Sequence, residues 1–314
     1  MAVTLRPIER GDYEHVRQLL IDMGWERRVA DRDRFERMIA GASRTVVAVE
    51  NPGYPPQRAA FLAAGAKLAP VRVDAEGLVV ERLPRAARIV CVSPSHQFPL
   101  GCAMSARRRA ELLDFAATRG AVVVEDDYDG EFRFGARPLD ALQTLDRAEC
   151  VFYVGTFSKS LFPAIRLGYI VAPPWALRAL IAAKRDADWH CGVIEQETLA
   201  AFIAEGHMAR HVRRMRTVYA ARRHALLANL ARDFGRWLQP IPSIAGLHLS
   251  AYADASVDVA ALVDLARRNE VGVLSLRPFH IGATSRQGLV FGYGAIDEAA
   301  IGEACARLKR AWPN

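Results

Sequence analysis

Short apolar runs rich in valine and isoleucine recur through the first 172 residues, at 45–50, 67–73, 88–93, 121–126, 150–155 and 167–172. Helical patterns lie between several of them, at 55–65 and 105–120, and two more follow at 174–186 and 193–205. A strand that is apolar along its whole length needs cover on both faces, and strands alternating with helices build a mainly parallel sheet. Sheets of that kind collect ligands at the carboxyl ends of their strands. Further on, 206–233 reads as one long helix, closed by Pro240 and Pro242. Beyond it, strand-like runs at 247–252, 271–276 and 288–293 alternate with helices at 257–269 and 297–312, a smaller α+β unit. The expected fold class is therefore α/β, with a mainly parallel sheet followed by a smaller C-terminal α+β domain.

Composition narrows the function classes. With 314 residues, 51% hydrophobic and 25% charged, the chain excludes disorder and collagen-like repeats. Its net charge of +7 is spread along the chain, which favours small anionic ligands over a nucleic-acid tail. Five cysteines without a CxxC pair indicate neither a disulfide framework nor a zinc site, and no metal is expected. No run approaches the roughly 18 apolar residues of a membrane span, so a cytoplasmic protein without a membrane partner is expected.

Two segments carry chemistry. After the run at 150–155 comes GTFSKSLFPAIRLGY (155–169). A lysine among hydroxyls at a strand end, with an arginine seven residues on, suits an imine-forming amine beside a phosphate anchor. Lys159 is the amine; Thr156, Ser158 and Arg166 are the anchor. A Ser-Lys pair taken alone is more often an exposed lysine in a polar turn. Upstream, AVVVEDDYDGEFRF (121–134) runs from a buried strand straight into acids. A carboxylate there is costly unless it faces a cation. Asp126 facing a protonated pyridine nitrogen, with Tyr128 bonded to the ring's phenolate oxygen, satisfies that need; a solvated acidic turn is the alternative.

These segments, with VENPGYP (49–55), AGA (64–66), VDAEGL (73–78) and SPSHQFPLG (93–101), resemble the aminotransferase-like domain of MocR/GntR-type regulators, within the fold-type I superfamily that uses pyridoxal 5′-phosphate. The resemblance runs from about Val49 to the C-terminus. It implies a Schiff base at Lys159, a ring-nitrogen partner at Asp126 and an O3′ donor at Tyr128. Thr156, Ser158 and Arg166 fall on phosphate-side positions, and Tyr54 matches the aromatic that stacks on the cofactor ring. His96, Gln97 and Phe98 stand where the superfamily has a turn near O3′; His96 is the candidate, though the sequence leaves open which of the three side chains reaches the ring. Arg277 matches the arginine that binds a substrate α-carboxylate, two parallel hydrogen bonds fixing its orientation. Outside the resemblance, an arginine before a proline is usually a surface residue.

The first 49 residues depart from this pattern. They hold no winged helix, hence no DNA-binding domain in this chain, and they resemble the opening of a GNAT-type acetyltransferase that stops before any pyrophosphate-binding loop. The expected organisation is a GNAT-like fragment at 1–49, a partial large domain at 50–205, and a connector helix with a small domain at 206–314. An aminotransferase domain truncated at its N-terminus would leave an open apolar sheet edge. The seven arginines of 206–233 stand against one acid, Asp233, with Tyr219 the lone large aromatic, and read as a solvated connector face more readily than as a nucleic-acid stripe. The expected function is an aminotransferase acting on an amino-acid or amine substrate as a homodimer. The alternative is the effector-sensing domain of a MocR-type regulator without its DNA-binding domain.

Overall fold

A computed structural model describes residues 45–312 apart from 136–139, 191 and 285, together with Glu14 and Gln18. The GNAT-like segment lies outside the described residues, except for these two and the strand that begins beyond Thr45.

The expected alternation is present. The large sheet contains β1 (Val46–Asn51), β2 (Lys67–Asp74), β3 (Gly77–Leu78), β4 (Ala87–Val92), β5 (Val122–Asp127), β6 (Val151–Thr156) and β7 (Gly168–Val171), in the order β3-β2-β1-β4-β5-β6-β7. Strands β2, β1, β4, β5 and β6 are parallel; β3 and β7 pair antiparallel with their neighbours. The chain winds from β1 outward to β2, then returns to build β4, β5 and β6 on the other side. The direction of winding therefore reverses between β1 and β4, the kind of crevice where open α/β sheets bind ligands.

Helices α1 (Pro55–Ala63), α2 (Ala106–Arg119), the short α3 (Leu142–Leu145), α4 (Pro174–Asp188) and α5 (Val193–Ala204) accompany this sheet. Proline occupies the first turn of α1 and of α4, where its missing N–H costs nothing. Ser105 caps α2, its Oγ accepting from the Arg108 N–H, and Gly120 ends that helix in the left-handed conformation. One face of the sheet packs Ala48, Val90, Val92, Val123 and Val151 against Leu112 and Ala116 of α2. The opposite face sets Val47, Val49 and Cys91 against Phe61 of α1.

Helix α6 (His207–Phe234) leads to a second sheet of β8 (Leu238–Pro240), β9 (His248–Ala253), β10 (Leu274–Ser275) and β11 (Gly288–Gly292), ordered β10-β11-β9-β8. Helices α7 (Val259–Arg268) and α8 (Glu298–Ala311) share a core with α6 and this sheet, including Leu230, Phe234, Leu249, Leu262, Phe291 and Ile301. The strand expected at 271–276 is confined to Leu274–Ser275, because Val271 and Val273 enter that core from chain outside the ladder. Of the α6 arginines, Arg210, Arg213, Arg214, Arg216 and Arg232 are exposed, while the half-buried Arg222 and Arg223 donate to the Gly294 and Ser243 carbonyls; Arg216 also donates to the Glu131 carbonyl.

Candidate active site

Four parallel strands deliver their carboxyl ends to one place. Leaving β1, Glu50 is buried, and its Oε2 accepts from the Ser93 N–H and from Gln97 Nε2. Gln97 also donates to the Pro52 carbonyl, while its Oε1 accepts from the Leu100 N–H. Gln97 thus ties the turn after β1 to the turn after β4, both of which hold cis X-Pro bonds. The tie brings Tyr54 edge-on to Phe98, which also meets Tyr128, His248 and Phe279, making an aromatic wall beside the strand ends. Burial pushes the Glu50 carboxyl up to about 8, with the Asp126 charge adding to it.

Strand β5 ends in three acids. Glu125 turns to the α2 side and accepts the Leu142 and Gln143 N–H groups at the start of α3. Asp127 accepts from Tyr153. Asp126, between them and facing the other side of the sheet, has no hydrogen bond or ion pair among the described residues. Burial, reinforced by Asp127 and Asp129, pushes it up to about 6. The Tyr128 hydroxyl lies 2.9 Å from the His96 carbonyl and 3.0 Å from His96 Nδ1. Asp129 approaches the same Nδ1 at 3.0 Å. His248, on β9, stacks at a tilt on His96 with ring centres 4.7 Å apart, and its Nε2–H donates to the Pro99 carbonyl.

Beyond β6, the Ser158 N–H donates to Thr156 Oγ1, whose hydroxyl donates to Ser158 Oγ, closing a tight turn. Lys159 is exposed at the tip of that turn, within electrostatic reach of His248, while the hydroxyl of buried Ser160 has no partner among the described residues. Gly155 is required here, since a Cβ would lie 2.3 Å from the Tyr169 ring that crosses it from β7. Arg166 is exposed in a left-handed conformation after a short 3-10 turn, with no ion pair among the described residues.

Arg277 opens a 3-10 turn after β10 and is exposed. The turn docks against the exit of β1: the Gly53 N–H donates to the Phe279 carbonyl, and Asn51 exchanges hydrogen bonds with Ile281. Tyr54, His96, Asp126, Tyr128, Thr156, Ser158 and Lys159 therefore sit on adjoining strand ends, and Arg277 on the turn that closes against them. Glu50, Asp129 and His248 escaped the sequence reading, which named Gln97 only as one of three side chains that could reach the ring. Gln97 and Asp129 stand in the HQF and DYD strings, but which side chain turns inward depends on loop closure. His96, Asp129 and His248 bring metal-capable atoms within 4.8 Å of one another; His96 Nδ1 already meets Asp129, and His248 Nε2 the Pro99 carbonyl.

The donor set suits a phosphorylated pyridine aldehyde. Asp126 has no cation paired with it among the described residues, the Thr156–Ser158 turn and Arg166 offer hydroxyls and a guanidinium, and Lys159 offers an amine one strand away. Such a site at the winding reversal of a mostly parallel sheet defines the aminotransferase-like class of α/β proteins. The family model for aminotransferase class I and II matches residues 32–308, starting inside the stretch that resembles a GNAT opening. A solved structure of LysN, the α-aminoadipate aminotransferase of Thermus thermophilus complexed with N-(5′-phosphopyridoxyl)-L-leucine, is 30% identical; the match covers 85% of this chain and 70% of that one, with a TM-score of 0.78. The kynurenine aminotransferase structure from Pyrococcus horikoshii, at 27% identity, covers 85% and 69%, with a TM-score of 0.79. Among curated proteins, the "Probable rhizopine catabolism regulatory protein MocR" of Rhizobium meliloti is 36% identical over 265 residues, which are 84% of this chain and 54% of that protein. The chain belongs to the class I and II aminotransferase family, with MocR-type regulators among its homologues, and pyridoxal 5′-phosphate is its cofactor. It spans about half the length of the curated regulators it matches.

Proposed function

We propose that the chain holds pyridoxal 5′-phosphate covalently through Lys159 Nζ and acts on the amino group of an amino-acid or amine substrate as an aminotransferase. The observation that carries this reading is Asp126, a half-buried acid whose charged neighbours include Asp127, Asp129 and Glu50. A protonated ring nitrogen facing it supplies the missing cation. When bound, the cofactor supplies an electron sink for charge developing at the substrate Cα. Around it, Thr156, Ser158 and Arg166 hold the phosphate, Tyr54 lies over the ring, and Tyr128 donates to the ring oxygen. Arg277 grips the substrate carboxylate, and Lys159 Nζ carries a proton to and from Cα. The homodimer expected by resemblance belongs to this proposal; the exposed Trp175, Ile181, Trp189 and Ile194 on and around α4 and α5 favour a covered face.

Adding pyridoxal phosphate to the wild-type chain is expected to produce a visible absorption band above 400 nm that Lys159→Ala lacks. No band in the wild type, or the same band in both, would overturn the reading.

A second reading rests on the regulator homologues and on the share of their length that this chain spans. In it, the same site senses an amino compound for a regulator whose DNA-binding part lies elsewhere. Single-turnover conversion of amino donors supports the enzyme; ligand binding with no conversion of any donor supports the sensor.

A further inference from the structure

Buried behind the Tyr128 hydroxyl is a polar group that the proposed chemistry does not use. His96 and Asp129 are each 1% exposed. Nδ1 of His96 stands 3.0 and 3.2 Å from the two oxygens of Asp129 and 3.0 Å from Tyr128 Oη. Its other ring nitrogen, Nε2, is buried with no partner among the described residues. An ionised carboxylate can only accept, so Asp129 holds the proton on Nδ1. That N–H then also faces a lone pair of Tyr128 Oη, and the phenolic proton must point elsewhere, in this structure toward the His96 carbonyl. The arrangement denies Tyr128 the His96 Nδ1 as an acceptor and leaves its one proton to the His96 carbonyl, or to a ring oxygen that takes that carbonyl's place.

The backbone is shaped around this imidazole. Gly246 has φ +87°, and a Cβ there would lie 1.9 Å from His96 Cε1 and 2.7 Å from Asp129 Oδ2. Gly101 has φ +80°, and a Cβ would lie 3.2 Å from His96 Nε2. Two glycines in the left-handed region, from different parts of the chain, thus open the space that His96 fills. Gly246 is itself held by its N–H to the Phe132 carbonyl and by the Tyr293 hydroxyl to its own carbonyl.

We propose that Asp129 and His96 are positioning residues that fix Tyr128 as a hydrogen-bond donor toward the ring oxygen of the cofactor. The inference rests on the reading that Tyr128 faces that oxygen, yet its first test needs no cofactor. In the apo protein with 15N-labelled histidine, assigned with His96→Gln, Nδ1 of His96 is expected to carry a proton held on that nitrogen. A His96 with a bare Nδ1 overturns the proposal, whatever becomes of the cofactor reading. Asp129→Ala is expected to release the preference, so that the Nε2–H form appears. In the loaded protein, Asp129→Ala is expected to shift the visible band part of the way that Tyr128→Phe shifts it. The double variant should then match Tyr128→Phe alone, because the relay acts only through that hydroxyl. Unchanged His96 signals in Asp129→Ala, an unchanged band, or additive band shifts each overturn it. Should Asp129→Ala fail to fold, the wild-type nitrogen signals decide; a wild type without any visible band condemns the function reading and leaves those signals to judge the relay.

Discussion

A glutamate in a strand that is otherwise valine, alanine and asparagine is a residue out of place, and Glu50 shows what such a residue costs. Its carboxyl, pushed up to about 8, keeps a proton that the unfolded chain releases near pH 4.5. The folded state therefore binds the proton more tightly, and stability falls as pH rises from about 4.5 to 8, then levels off. Asp126 and Glu131, pushed up to about 6 and about 7, add slopes of the same sign over narrower windows. Glu50→Gln keeps an acceptor for the Ser93 N–H without the charge. Its melting temperature is expected to exceed the wild type's at pH 8, by a few kcal/mol in stability terms, and to match it near pH 4.5; equal pH slopes in thermal melts would contradict this. Lys159 and Asp126 were legible because each stands at the end of an apolar run. The Asp129–His96 contact was not, because 33 residues separate the partners and a glycine from a distant loop makes the room.

Among the elements, β7 carries the least protected surface. All four of its residues are exposed, it lies at the edge of the described sheet, and Tyr169, Ile170 and Val171 are large and apolar. An edge of this kind is a template for pairing with another chain. Ile170→Lys is expected to lower light scattering on heating and to leave the visible band intact; scattering as strong as the wild type's would show that self-association runs through another surface. Most elements followed from their own periodicity and punctuation, as with α2 between Ser105 and Gly120. Others did not: β3 and β8 are too short to have a period, and the 271–276 run is apolar because it enters the core of the C-terminal unit, with two residues in the ladder.

For the molecule as a whole, the site joins both sheets. His248 from β9 stacks on His96, the turn of Arg277 docks on the exit of β1, and Leu276, Phe279 and Val290 share a core with Val73, Leu100 and Cys102. A ligand that binds this arrangement and not the unfolded chain raises the stability of both parts together. Pyridoxal phosphate at 100 times its dissociation constant is expected to add about 2.7 kcal/mol, seen as one cooperative transition moving to higher temperature. Two transitions of which one moves would show that the sheets melt independently.

The sequence alone determined the fold class, the run of strands and helices, the family resemblance and the residues at the strand ends, because these depend on periodicity and on neighbours a few positions apart. The tertiary structure decided which of His96, Gln97 and Phe98 does what. Gln97 clamps two turns, Phe98 builds the aromatic wall, and His96 is buried against Asp129 and Tyr128. The physical reason is that adjacent residues in a turn share one local signal, while the groups that separate them come from β1, β5 and β9, brought together only when the chain closes.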